Sequence, residues 1–463
     1  MTDLTFADLP YQRDSALLFN KIAGEPWSVF IDSNRPAGTQ GRYDIMVARP
    51  DVCITTQDCR TKIQTCSQSY TVLDGPFTVL REQLPETGPN TCDLPFAGGA
   101  LGFFSYDLCR YMEKIPSVAA NDVAIPDMVI GIYSWAVVVD HSKMKSVLVG
   151  DCSNTRTKRC WNGLVKLFTS QANHKKHQEF RVNAPISSNM TRDYYGNAFR
   201  KIKQYILEGD CYQVNLAQRF TTDVEGDPWL AYQVLRKINP SPFSAYMNYP
   251  EFQVLSNSPE QFLSVKDGMV KTRPIKGTRP RSQDQNKDRC LAKELALSVK
   301  DQAENLMIVD LLRNDISKNC ALGSVQVQKL FDIESFPNVH HMVSTITGKL
   351  RAHRSAMDLL RGCFPGGSIT GAPKIRSMEV IEELEPHRRG IYCGSIGYIG
   401  FDGNMDINIA IRTILHRSHQ MYFYAGGGIV FDSDEDAEYQ ETFDKAAAMM
   451  NLLGENKVYA MGS

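Results

Sequence analysis

Along the first 185 residues, short β-branched and aromatic runs alternate with turn residues, for example at 27–32 and 43–48. The longest, residues 128–140, is apolar almost throughout and predicts one central strand. Residues 95–106 carry glycines at strand spacing, which suits close packing between layers. A helix is expected around 159–170, a polar linker over 171–187, and a capped helix from 191 to 207. Beyond 190, strand-like runs at 212–222, 243–249, 252–256, 262–266 and 269–273 follow so closely that they predict antiparallel pairing. Asp402-Gly403 between 394–401 and 405–415 is a hairpin signal. Regular βαβ alternation is missing, so the pattern implies an α+β protein with large antiparallel sheets flanked by helices. Two regions are expected: a sheet-rich one over 1–185 and a catalytic one over 186–463.

Near the C-terminal end, an aromatic strand at 420–425 runs into Gly426, Gly427 and Gly428, where backbone can approach another group closely. A helix should follow over 435–453, with Asp432, Ser433 and Asp434 as caps. At about 100° per residue, Glu438, Glu441 and Lys445 share a stripe that continues into Ala448, Met449 and Leu452. Carboxylates on a stripe that turns apolar need a cation or donors. The alternative is a solvated face with a Glu441–Lys445 pair, because Tyr439, Phe443, Ala446, Met450 and Leu453 form a second apolar face.

The chain has 463 residues, 51 basic and 52 acidic, a net charge of −1, and 22% charged and 43% apolar residues. This balance carries no electrostatic footprint for nucleic acid or an anionic membrane. The first ten residues have neither a basic nor an apolar signal-like region, and no run reaches the length of a membrane span, so a cytoplasmic protein is expected. Twelve scattered cysteines with no C-x-x-C pair argue against a structural zinc or a disulfide scaffold.

Several segments carry candidate chemistry. Glu304 lies on a helix near 300–315, beside Met307 and Ile308; a salt bridge to Lys300 explains it as well as metal binding does. Together with Glu438 and Glu441, Glu304 makes an oxygen set of the kind that holds Mg²⁺ with waters and a substrate anion. The glycine-dense run 364–376 enters a helix, and its backbone N–H groups with the Ser368 and Thr370 hydroxyls suit an anion, although a plain turn and cap fits too. Arg412 in the apolar run 407–415 needs an anion, either a substrate carboxylate or an internal Asp or Glu. Lys276 sits between Pro274 and Gly277, an exposed turn unless a nearby divalent cation drives its amine toward the nucleophilic form. Ser258-Pro-Glu260 reads as the first residues of a short helix, or places Glu260 as a general acid. His341, in a strand-like run, is a core histidine or a donor to a substrate hydroxyl.

In order along the chain, 209–219, 258–260, 274–278, 303–315, 367–374, 426–430 and 438–441 resemble the corresponding segments of the chorismate-utilising enzymes, over about 190–453. Runs 94–102 and 125–133 extend the resemblance into the N-terminal half. The family fold this implies is a two-layer antiparallel β-sandwich with outer helices, built from both halves of the chain. Lys276 stands where anthranilate synthases typically have alanine, which points to the aminodeoxychorismate-forming branch. Gln213 stands where isochorismate and salicylate synthases have a lysine that activates water.

The resemblance implies Mg²⁺ held by Glu304, Glu438 and Glu441, Lys276 attacking C2 of chorismate, and Glu260 protonating the departing 4-hydroxyl. Ammonia then adds at C4 and expels Lys276, giving 4-amino-4-deoxychorismate for 4-aminobenzoate and folate synthesis. Ser368, Thr370, Gly371, Tyr392, Arg412, Gly426, Gly427 and Lys445 match positions that hold substrate, and His341 one that contacts the ring substituent. The chain has no Gly-x-Cys-x-Gly elbow, so a glutamine amidotransferase subunit is expected to supply ammonia. Ser33, Arg42, Tyr43, Asp44, Pro242, Phe243 and Ser244 match regions that form a tryptophan pocket between the family's sheets.

Overall fold

The protein is described here by a computed structural model, which covers residues 4–34, 41–85, 92–170, 177–336 and 339–459. Among the described residues, two antiparallel sheets, one of fourteen strands and one of twelve, lie face to face. Both draw strands from both halves of the chain: Ser28–Asp32 pairs with Phe243–Asn248 in the larger sheet, and Gly99–Phe104 with Ser395–Gly400 in the smaller. Val29, Ile45, Phe103, Val129, Val138 and Val254 fill the space between the sheets. Helix Val299–Ser317 packs on the outer face of the smaller sheet, and helices Pro228–Ile238 and Glu435–Leu452 on that of the larger.

The apolar run 128–140 is two strands, not one. Met128–Tyr133 belongs to the smaller sheet and Trp135–Asp140 to the larger, with Ser134 at the crossing. Met128, Ile130 and Ile132 face the outer core of one sheet, and Trp135, Val137 and Val139 that of the other. Val129, Tyr133, Ala136 and Val138 all face the layer between. Each half is apolar on both sides, so nothing in its periodicity marks the break.

The run 405–415 divides in the same way, into Met405–Asn408 in the smaller sheet and Thr413–Arg417 in the larger. Arg412 therefore lies in the crossing and not in a strand, at φ +50°. Ser258-Pro-Glu260 does not open a helix either: Phe252–Ser258 ends in the larger sheet and Gln261–Lys266 begins in the smaller. The expected linker contains the short strands Phe180–Val182 and Ser187–Ser188, paired to Gln213–Glu225, while its residues 171–176 lie outside the described ones. The helices expected at 191–207 and 435–453 are Arg192–Leu207 and Glu435–Leu452, capped by the Thr191 and Asp434 side chains.

Candidate active site

Two of the crossings meet. The Ile409 N–H donates to the Glu260 carbonyl at 3.1 Å, the Ser258 hydroxyl donates to the Ile409 carbonyl at 2.5 Å, and Asn257 N–H donates to the Arg412 carbonyl at 3.0 Å. This lattice holds Glu260 and Arg412 where chain passes between the sheets.

Lys276 comes from the smaller sheet, in Ile275–Pro280, where the register to Val339–Lys349 shifts around Gly277 at φ +76°. Only glycine takes that conformation without strain, and a Cβ there would press on Leu295 and Asp301. The bulge turns Lys276 inward. Its ammonium donates to Glu304 Oε1 at 2.8 Å and to the Ser368 carbonyl at 3.4 Å. Glu304 pairs with Lys276, not with Lys300. Gln213 Nε2 also donates to Glu304 Oε1, at 3.1 Å.

Burial acts against the Lys276 charge, but Glu304, Glu260 and Glu441 outweigh it and hold the amine above its ordinary range. Burial likewise opposes ionisation of Glu304, yet Lys276, Lys445 and Gln213 keep its carboxyl below the usual value. For Glu260 burial prevails over Lys276 and Ser368, so its carboxyl holds its proton to higher pH than an exposed glutamate. A cationic amine and a protonation-prone acid thus lie close enough to feel each other's charge.

The larger sheet supplies the other wall. Gly426, Gly427 and Gly428 lie within strand Gln420–Ile429, opposite Ala217, Leu216 and Asn215. A Cβ on Gly427 would stand 2.8 Å from Glu438 Oε2 and 3.3 Å from Glu441 Oε1, so the bare glycine makes room for two carboxylates. Glu438 is buried and accepts from the Ser433 hydroxyl at 2.7 Å; burial, with the Glu441 charge beside it, raises its pKa. Lys445 donates to Glu441 Oε1 at 2.5 Å and to the Gly426 carbonyl at 3.0 Å, so the pair anticipated as a solvated face exists at the rim of the pocket. Among the described residues, no three acidic, histidine or cysteine side chains already close around a metal-sized centre. Two repelling carboxylates over Gly427, with Glu304 on the facing wall, nevertheless fit a hard divalent cation completed by waters and a substrate anion.

His341 is buried, with Nδ1 2.9 Å from the Thr278 hydroxyl; burial and the Arg412 charge push it down to about 3, so it is a neutral imidazole at physiological pH. Burial alone lowers Arg412, and among the described residues no hydrogen bond or ion pair engages its guanidinium. Tyr392 is buried and stacked on Tyr424 at 5.2 Å. The Thr370 hydroxyl is used locally, on the Gly366 and Gly367 carbonyls, and Gly371 pairs with Val214 at φ +143°. A Cβ on Gly371 would meet the Gln213 carbonyl at 2.1 Å. Lys374 points away from the pocket: it donates to Asp315 at 2.5 Å and to the Cys363 carbonyl at 2.8 Å, which ties the glycine loop to the helix bearing Glu304. That Asp315–Lys374 latch escaped the sequence reading, because nothing in the spacing of two ordinary charged residues announces it.

A separate cavity of about 570 Å³ opens between the sheets. Ser33, Arg42, Tyr43, Pro242, Phe243 and Ser244 all line it. Asp44 lies behind the wall, accepting from Ser33 N–H at 2.8 Å and paired with His141 at 2.7 Å.

A family model for chorismate binding enzymes matches residues 33–451. The chain is 47% identical to aminodeoxychorismate synthase component 1 of Salmonella typhimurium, over 97% of this chain and 98% of that one. It is 36% identical to anthranilate synthase component 1 of Pseudomonas aeruginosa, over 94% and 92%. Among solved structures it superposes on anthranilate synthase component I of Streptococcus pneumoniae with a TM-score of 0.80 at 32% identity, covering 89% of this chain and 93% of that one. With the family match spanning most of its length and a relative 47% identical over 97% of the chain, the chain belongs to the chorismate-binding enzymes.

Proposed function

We propose that this enzyme aminates chorismate at C4 to 4-amino-4-deoxychorismate, on the way to 4-aminobenzoate and folate, through a covalent bond to Lys276. One observation carries the reading: Lys276, half-buried, lies 2.8 Å from Glu304 and within reach of the charge of the proton-retaining Glu260. A nucleophile and an acid are what displacement of a hydroxyl requires. The similarity to the Salmonella relative, higher than to the anthranilate synthase, supports the same branch.

Lys276 rests as an ammonium, releases a proton to solvent before attack, and regains one once it is freed. Its nitrogen then bonds to C2 while both ring double bonds shift and the C4–O bond breaks. Glu260 gives its proton to the departing hydroxyl, which leaves as water. Ammonia adds at C4, both double bonds shift back, and the C2–N electron pair returns to Lys276. The new ammonium passes a proton to the Glu260 carboxylate, which restores the acid. Arg412, free of an internal counter-ion, receives a substrate carboxylate. Neutral His341 orients toward the ring substituent. Glu304, Glu438 and Glu441 would hold Mg²⁺, which when bound supplies positive charge opposite the ring carboxylate and loosens the grip of Glu304 on the Lys276 proton. A separate glutamine amidotransferase subunit supplies the ammonia, consistent with the relatives' designation as component 1 and with the lack of a glutaminase elbow. The cavity between the sheets takes tryptophan, whose size and amphipathic ring suit its mixed walls.

The test is chorismate consumption with Mg²⁺ and an ammonium salt, products separated by chromatography, wild type beside Lys276→Ala. Aminodeoxychorismate from wild type and a loss on the order of 10³-fold or more in the variant are expected. Anthranilate as the product would reject the branch, and a variant as fast as wild type would reject the covalent route.

A further inference from the structure

Behind the pocket lies a charge pair that the chemistry above does not use. Arg389 and Glu385 are buried, with side chains 1% and 3% exposed, on the segment that follows helix Lys374–Leu384. Arg389 Nη2 and Nε donate to the two Glu385 oxygens at 2.6 and 2.9 Å, a bidentate pair. Its remaining donors go to backbone and side-chain oxygens of two other elements. Nη1 reaches the Ile369 carbonyl at 2.9 Å, and Nη2 reaches Asn215 O at 3.1 Å and Oδ1 at 3.2 Å. Glu385 in turn accepts from Ala217 N–H at 2.9 Å. The guanidinium also lies 4.9 Å from the Tyr106 ring centroid and 5.7 Å from that of Tyr392.

Both elements whose oxygens this guanidinium satisfies beyond its own segment also carry a pocket group. Ile369 separates Ser368, whose carbonyl accepts from Lys276, from Thr370. Asn215 lies two residues beyond Gln213, which bonds Glu304, and its N–H donates to the Thr370 carbonyl at 2.8 Å. Tyr392 N–H donates to the Arg389 carbonyl at 3.1 Å. A buried ion pair is weak support for stability, since apolar groups of similar volume often serve as well. A planar fork that satisfies oxygens on two separate elements at fixed angles has a different use, which is geometry.

We infer that Arg389, held by Glu385, is a positioning residue: its guanidinium clamps the glycine loop 367–371 to strand Gln213–Glu225 and so sets the chorismate-binding wall against Lys276. The inference rests on the functional reading above for the identity of the substrate. Lysine at 389 would keep the charge beside Glu385 but could not span Ile369 and Asn215 together, so the loop would shift by a fraction of an ångström or more.

The experiment compares wild type, Arg389→Lys, and the double variant Glu385→Gln/Arg389→Met, which removes the charge pair while keeping volume. Thermal midpoints are measured with and without chorismate, and KM for chorismate and for ammonium separately. Both variants are expected to unfold cooperatively, to lose most of the chorismate-induced rise in midpoint, and to fall by about 10²-fold in kcat/KM for chorismate, with the KM for ammonium little changed. Variants that fold and match wild type in chorismate response would overturn the inference. So would equal damage to both KM values, or loss of the folded state in both variants, either of which marks the pair as a fold determinant only. Wild type that shows the chorismate-induced shift but forms no aminated product would reject the functional reading and leave the positioning test standing.

Discussion

The chain passes from one sheet to the other at Ser134 and again at the joined crossings of 259–260 and 409–412, and the two places are finished differently. At Ser134 the side chain is answered internally: its hydroxyl lies 2.5 Å from both Asp51 Oδ2 and Thr157 Oγ1, and Asn154 Nδ2 donates to the same Asp51 oxygen at 3.0 Å. At the joined crossings the backbone is tied just as firmly, but Arg412 is left over, and Glu260 is answered by groups of the candidate site, Lys276 and Ser368. Glu260 is held toward its protonated form, and Arg412, at φ +50°, has no internal anion among the described residues. A sheet crossing frees side chains from the alternating demands of a strand. Whether it becomes a seal or a reactive site depends on whether its polar groups are answered from within.

The largest effect separating the two should come from Glu260→Gln. Loss of the proton donor is expected to reduce kcat by about 10²- to 10⁴-fold. The pH dependence sharpens this. Burial raises the folded pKa of Glu260, so the acid stays protonated to higher pH, and wild-type turnover should decline as pH rises through that raised value. The glutamine variant should lack that limb while keeping its remaining activity. Because a carboxyl whose folded pKa is raised contributes stability at low pH that is lost as pH rises, the same variant should be at least as stable as wild type at pH 8. A variant with an unchanged pH–rate profile would remove Glu260 from the proton transfer.

Next in size is Arg412→Met. If the guanidinium answers a substrate carboxylate, KM for chorismate should rise by about 10- to 10²-fold, the cost of one charge-assisted bidentate contact. Thermal stability should hold or increase, since a half-buried cation without an internal partner is removed. A large fall in stability would show that Arg412 is answered internally after all, and the contrast with Ser134 would collapse.

These crossings also mark the limit of what the sequence made legible. Antiparallel pairing, the hairpin at Asp402-Gly403 and the capped helices were readable because turn chemistry and caps act within a few residues. The sheet changes inside 128–140 and 405–415 were hidden, because a strand buried on both faces looks the same on either side of a break. At the site, the stripe through Glu438 and the glycines opposite it were visible as pattern, and the lysine and glutamates as motif. Which cation answers Glu304, and that Lys374 serves Asp315 and not a ligand, depends on contacts between residues 28 and 59 positions apart. No local periodicity encodes such separations. The Arg389–Glu385 pair was one turn apart and still unremarkable, because its meaning lies in the Ile369 and Asn215 oxygens that it reaches.

The smallest expected effect tests the sealed crossing. Ser134→Ala should leave turnover of chorismate unchanged and cost about 1–2 kcal/mol of stability, the range for withdrawing a hydrogen bond from a buried group. The penalty should depend on pH in a definite direction. Burial already raises the Asp51 carboxyl, and the Ser134 hydroxyl works against that rise by stabilising the ionised form. Without the hydroxyl the folded pKa moves higher still, so over a wider range the folded state binds a proton that the unfolded chain has lost. Stability then falls more steeply as pH increases above the unfolded value. The gap between wild type and variant should therefore be widest near pH 7 and narrow below about pH 4, where Asp51 is protonated in both folded and unfolded chains. Urea unfolding at the two pH values measures it. A gap of equal size at both would mean that the hydroxyl serves Thr157, not Asp51, and that this crossing is sealed without its carboxylate.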